Sequence, residues 1–84
     1  MKNNINELML RDGIKPDQLA ILLNVTTTTV YRLKSGECEP KFSTLIMLCA
    51  VFGEPIFGIY PDMADKIESE QFDIIQKKRA LGLA

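Results

Sequence analysis

The chain has 84 residues, a formal net charge of −1 and a pI near 5.3, which allows one domain with a small core and leaves no surplus of positive charge. Its 46% apolar and 25% charged residues are the balance of an ordinary globular protein. Cys38 and Cys49 are not spaced as a C-x-x-C pair or a zinc pattern, and there is no histidine to complete a site, so no metal or other cofactor is expected.

Residues 1–7 lack the apolar run of a signal peptide. The longest apolar run, Leu45 to Phe52, is too short to span a bilayer. A cytoplasmic protein with no membrane partner is the expectation. There is no internal repeat, no sustained alternation and no Asn-Gly or Asp-Gly hairpin turn. Helix punctuation recurs instead.

The first helix is predicted from Ile5 to Asp12. Asn4 stands as its N-cap with Glu7 three residues on, as in a capping box. Ile5, Leu8 and Met9 form the apolar stripe, and Gly13 ends it. The second helix opens at Pro16, where a missing N–H is tolerated. Leu19, Ala20, Leu22 and Leu23 supply its apolar side, and Asn24, which accepts the left-handed conformation better than most residues, follows it. The third helix begins after Thr26 as N-cap, turns Val30 and Leu33 inward, and stops at Gly36.

A loop with Glu37, Glu39 and Pro40 leads to a fourth helix, Phe42 to Phe52, with an expected core stripe of Phe42, Leu45, Ile46 and Cys49. A short turn follows from Pro55 to Tyr60. A last helix is predicted from Asp62 to about Leu81, with acids at its start and Lys77, Lys78 and Arg79 at its end. Its apolar stripe, Met63, Ile67, Ile74, Ile75 and Leu81, is thin. The fold class is all-α, with residues 1–60 as one unit and 61–84 as a C-terminal helical extension.

Residues 16–36 read as helix, three-residue turn, helix. Two steeply crossing helices need a small residue at their contact, and Ala20 supplies it. The turn needs an unusual backbone angle, and Asn24 supplies it. Leu19, Leu23, Val25, Val30 and Leu33 fill the space beneath both helices. Thr27, Thr28, Tyr31 and Arg32 are then left on the outside of the third helix, on one face, since residues four apart are neighbours on a helix surface. Such a face can enter the major groove of DNA with its N-terminal end first.

From Gly13 through Gly36, and on to Pro40, Thr44 and Leu45, the sequence resembles the lambda-repressor-like family, which includes the Cro-type and xenobiotic-response-element-type helix-turn-helix regulators. The resemblance covers roughly residues 5–60, with the small, turn, buried and stop positions all in register. It implies a compact five-helix domain that binds double-stranded DNA, often as a homodimer on a palindromic site. It also implies that Thr27, Thr28 and Arg32 read bases and that Thr26, Lys34, Ser35 and Lys41 hold the DNA backbone, to which the Tyr31 hydroxyl adds a donor by its own chemistry. The chemistry agrees: Arg32 can pair with a guanine edge through two hydrogen bonds, and threonine methyls can touch thymine methyls.

Two features depart from the family pattern. Pro16 stands where the family usually has a phosphate-clamping Gln, and Glu37 and Glu39 stand in a loop that is often basic. Both lower the expected non-specific affinity, as does the low pI.

The fourth helix is apolar nearly all round, which requires cover on both sides. Met47, Ala50 and Val51 are therefore a candidate dimer interface. The cover is either the C-terminal segment folding back through Ile67, Ile74 and Ile75 or a second chain, with dimerisation that involves the C-terminal segment preferred.

No enzyme is expected, because there is no Gly-rich phosphate loop, metal cluster or activated nucleophile. The expected function is transcriptional regulation, as a repressor. The alternatives are an antitoxin that also binds a toxin or other protein partner, such as an anti-repressor, and an interaction module that has lost DNA binding.

Overall fold

The computed structural model describes residues 2–83 and is all-helical among them. Its elements are α1 (Ile5–Asp12), α2 (Pro16–Leu23), α3 (Thr27–Ser35), α4 (Phe42–Phe52), α5 (Ile56–Ile59) and α6 (Met63–Ala80). The first five enclose a single core. Ile5 and Met9 of α1, Leu19 and Leu23 of α2, Val30 and Leu33 of α3, Leu48 and Phe52 of α4 and Ile59 of α5 all lie within it.

Local chemistry accounts for most helix ends. Asn24 adopts φ 54° and ψ 48°, and its N–H and that of Val25 return to the carbonyls of Ile21 and Ala20 at 3.2 and 3.0 Å. This paired closure satisfies two carbonyls that α2 would otherwise leave open. Gly36 repeats it after α3 with φ 77°, and Glu37 N–H reaches Arg32 O at 3.0 Å. Thr26 caps α3, its Oγ1 accepting from Thr29 N–H at 3.2 Å.

The start of α1 differs from the expected capping box. The Asn4 amide donates to Gly58 O at 3.1 Å, and its backbone N–H donates to Ile59 O at 2.8 Å. The Ile5 N–H is taken by Asn3 Oδ1 at 3.0 Å, while Asn3 Nδ2 donates to Leu33 O at 2.9 Å. A local bond to Asn3 and long-range bonds to α3 and α5 therefore stand in place of the expected Asn4 cap. At the other end of α1, Arg11 donates to Phe52 O at 2.7 Å and pairs with Asp12 and Glu54. The hydrogen bonds to Asp12 and Glu54 hold the guanidinium well above its ordinary range, and the one from Arg11 holds the Asp12 carboxyl below its own.

The inward face of α4 is also rotated from the expected one. Thr44, Leu45, Leu48 and Phe52 are buried, whereas Phe42 is 75% and Ile46 52% exposed. In a helix this uniformly apolar the pattern does not identify the inward side, and packing against α1, α2 and α5 does. Leu22 of α2 likewise faces out, at 53% exposure.

The C-terminal segment does not fold back on α4. Its α6 has no buried residue, and its principal packing neighbour is the short α5. The molecule measures 52 × 21 × 19 Å with a radius of gyration of 15.9 Å, against about 12 Å for a compact chain of this length. The difference is α6, which projects as an arm.

Candidate nucleic-acid interface

The interface is built from α2, its turn and α3. Ala20 is buried on α2, and α2 packs against α3. Val25, in the turn, is half-buried against the core. Val30 and Leu33 are 0% and 3% exposed, which fixes the rotation of α3 about its axis. The opposite face is consequently outside: Thr27, Thr28, Tyr31 and Arg32 are all exposed.

The side chains on that face are in different states of commitment. Among the described residues, those of Thr27, Thr28 and Arg32 make no hydrogen bond or ion pair within the chain. Thr26 is exposed, but its Oγ1 serves the cap and lies 3.0 Å from Thr29 Oγ1. The Lys34 ammonium sits 5.3 Å from the Tyr31 ring centroid, a contact that orders both side chains at the C-terminal end of the face. The Ser35 hydroxyl donates to Arg32 O at 3.1 Å, so it must release that bond before donating to anything else.

Lys41 is exposed at the N-cap of α4. A cleft runs between it and α3, lined by Val25, Thr29, Glu39, Lys41, Ser43 and Thr44. Two features of this border were not legible in the sequence. Ser43 lies on the rim beside Lys41 with no motif to single it out. Glu39, which the sequence presents as a free loop charge, is held by Lys66 Nζ at 3.1 Å, so part of its repulsion of an approaching phosphate is offset. That partner is 27 residues away, beyond the reach of any local pattern.

The departure at Pro16 also has a local outcome. Pro16 begins α2, and Gln18 Oε1 accepts from Lys15 N–H at 2.9 Å, so the glutamine of this turn serves the helix itself. Lys15, exposed at the N-cap, is the cation at that corner.

A short helix, a turn closed by Asn24 and a second helix with its polar face bare form a helix-turn-helix unit. The sequence matches the Cro/C1-type HTH DNA-binding domain over residues 4–56. The chain belongs to this family. Among solved structures, this Cro/C1-type domain is similar to the crystal structure of a transcriptional regulator from Listeria innocua. The TM-score is 0.64 and the identity 27%, covering 96% of this chain and 91% of that one. No curated protein matches the sequence significantly.

The family match ends before α6, whereas the structural match spans it. The family is described as a DNA-binding domain and the Listeria innocua protein as a transcriptional regulator, and neither description is that of an enzyme. Among the described residues, no helix is long and apolar enough to cross a membrane and no cluster of His, Cys, Asp or Glu is arranged to hold a metal ion.

Proposed function

We propose that this Cro/C1-type protein binds a specific operator in the cytoplasm as a homodimer and represses transcription by occupying it. The observation that carries the proposal is the outward face of α3. Thr27, Thr28 and Arg32 stand exposed, with side chains uncommitted, on a helix whose other face is locked by Val30 and Leu33. A rigid helix with free donors on one side is suited to groove entry, because rotation about its axis would expose the core.

In this arrangement Arg32 reads a guanine edge, and Thr27 and Thr28 meet thymine methyls or base acceptors. Thr26, Tyr31, Lys34, Ser35 and Lys41 face the phosphates and set the register. Lys34 and Lys41 supply positive charge. The Tyr31 and Thr26 hydroxyls donate, and Ser35 does so after turning away from Arg32 O. The acidic pI makes non-specific attraction weak, so selectivity rests on a small number of base contacts.

Selection of bound duplexes from a random pool at moderate salt tests this. An enriched inverted repeat is expected, each half-site containing a guanine. If the bound pool stays random, operator binding is wrong and the domain is a protein-interaction module. Enrichment of a single, unrepeated half-site would reject the homodimer alone.

A further inference from the structure

The arm formed by α6 has 18 residues and buries none of them. Most helical stability in proteins comes from packing an apolar face, and this arm packs none of its own within the chain. Two of its apolar residues and the Leu81 that caps it follow a seven-residue spacing: Ile67, Ile74 and Leu81 recur on one line, with Ala64, Gln71 and Lys78 on the adjacent line. These are the two seam positions of a helix pair. Ile67, Ile74 and Leu81 are 38%, 63% and 76% exposed, and Ile67, Glu70, Gln71, Ile74 and Ile75 border a shallow groove. The start of the arm is anchored by Met63 against the core and by Lys66 on Glu39, so the seam is presented in a set direction.

Charge decides what covers it. From Asp62 to Asp73 the arm carries the acids Asp62, Asp65, Glu68, Glu70 and Asp73 against the single base Lys66. Beyond Asp73 it carries Lys77, Lys78 and Arg79 and no acid. A parallel pair would set acidic half against acidic half and place Lys78 opposite Lys78 within the seam. An antiparallel pair sets each acidic half against a basic half. Glu70 and Lys77, seven apart on one edge of the seam, then face each other twice across the pair.

We propose that a second copy of this chain covers the stripe, the two α6 arms packing antiparallel through Ile67, Ile74 and Leu81 with reciprocal Glu70–Lys77 contacts. This inference rests on the homodimeric reading above and names its interface and orientation. The arm is about 27 Å long at 1.5 Å per residue, and the two helix-turn-helix units sit at opposite ends of the pair.

The test is sedimentation equilibrium of the full chain without DNA. The parent sediments at twice its 9.5 kDa mass, and Ile74→Glu at the monomer mass with its circular dichroism melt retained. Phe72→Glu, on the opposite face of α6 and 61% exposed, stays dimeric. Glu70→Lys and Lys77→Glu each weaken the dimer about 2- to 30-fold at low salt, the range for two exposed ion pairs, and the double variant recovers it.

A parent that is monomeric at every concentration overturns the inference. So does a dimer indifferent to Ile74→Glu, which would move the interface to the exposed Phe42, Ile46 and Ala50 side of α4. A double variant that does not recover overturns the antiparallel orientation. Because mass is measured without DNA, failure of the parent to bind an operator would reject the function and leave the helix pairing standing.

Discussion

Replacing Arg32 with Ala separates base reading from backbone attraction. The side chain is exposed and has no intramolecular hydrogen bond or ion pair among the described residues. Alanine is at least as good a helix former, so the thermal midpoint should not fall. A bidentate Arg–guanine pair is worth about 1–3 kcal/mol of discrimination, or roughly 5- to 150-fold. A symmetric dimer makes two such pairs. Without them, the preference for its own operator over one with both guanines changed falls by about 2–6 kcal/mol.

Titration of labelled duplexes, matched and base-substituted, over a range of salt concentrations gives both quantities. The expected result is a collapse of preference at one base pair per half-site, with the salt slope nearly unchanged. If Arg32 instead holds a phosphate, affinity falls equally on every sequence and the slope drops by about 0.9 for each phosphate no longer neutralised. That result would refute the base-reading role and leave Thr27 and Thr28 as the determinants.

Thr26→Ala removes the oxygen that accepts from Thr29 N–H at 3.2 Å and should cost about 1 kcal/mol, read from urea unfolding; an unchanged midpoint would mean the cap contributes nothing. Asn24→Val forces a β-branched residue into φ 54° at an exposed site and should destabilise by about 1–3 kcal/mol, while Asn24→Gly stays near the parent; equal destabilisation in both would place the Asn24 side chain, not the backbone angle, at the centre of the turn. Tyr60 is 1% exposed and its hydroxyl has no partner among the described residues, so Tyr60→Phe should lie within about 1 kcal/mol of the parent or above it, and a larger drop would reveal a missed partner.

Burial, with the nearby Cys38 and Glu39, also pushes the Tyr60 phenol up to about 12. Because the folded state holds that proton more tightly than the unfolded chain, this contribution to stability is complete below about pH 10 and is lost as pH rises through about 12. Tyr60→Phe should flatten that part of the stability profile, and a profile identical to the parent's would assign the alkaline decline to other groups.

The elements legible in the sequence are those governed by short-range sterics and hydrogen bonding. Gly13, Asn24, Gly36 and Gly53 all adopt positive φ at helix ends, and Thr26 caps α3, because each of these events involves residues within one turn of chain. The outward face of α3 was legible for a related reason. With Val30 and Leu33 the only large aliphatic side chains of that helix, its inward side had no competitor.

Where every side of a helix is apolar, composition does not choose. On α4 the burial of Leu48 and Phe52 and the exposure of Phe42 and Ile46 follow from which neighbours arrive. The same limit applies to the N-terminus, where Asn4 abandons a local cap for the carbonyl of Gly58, 54 residues away. It applies again at Glu39, paired with Lys66 from 27 residues away. Helix boundaries, turn chemistry and the outward face of α3 were thus determined by the sequence alone. The rotation of α4, the long-range ties of Asn3 and Asn4 and the projection of α6 were decided by tertiary packing, because each depends on surfaces brought together from distant parts of the chain.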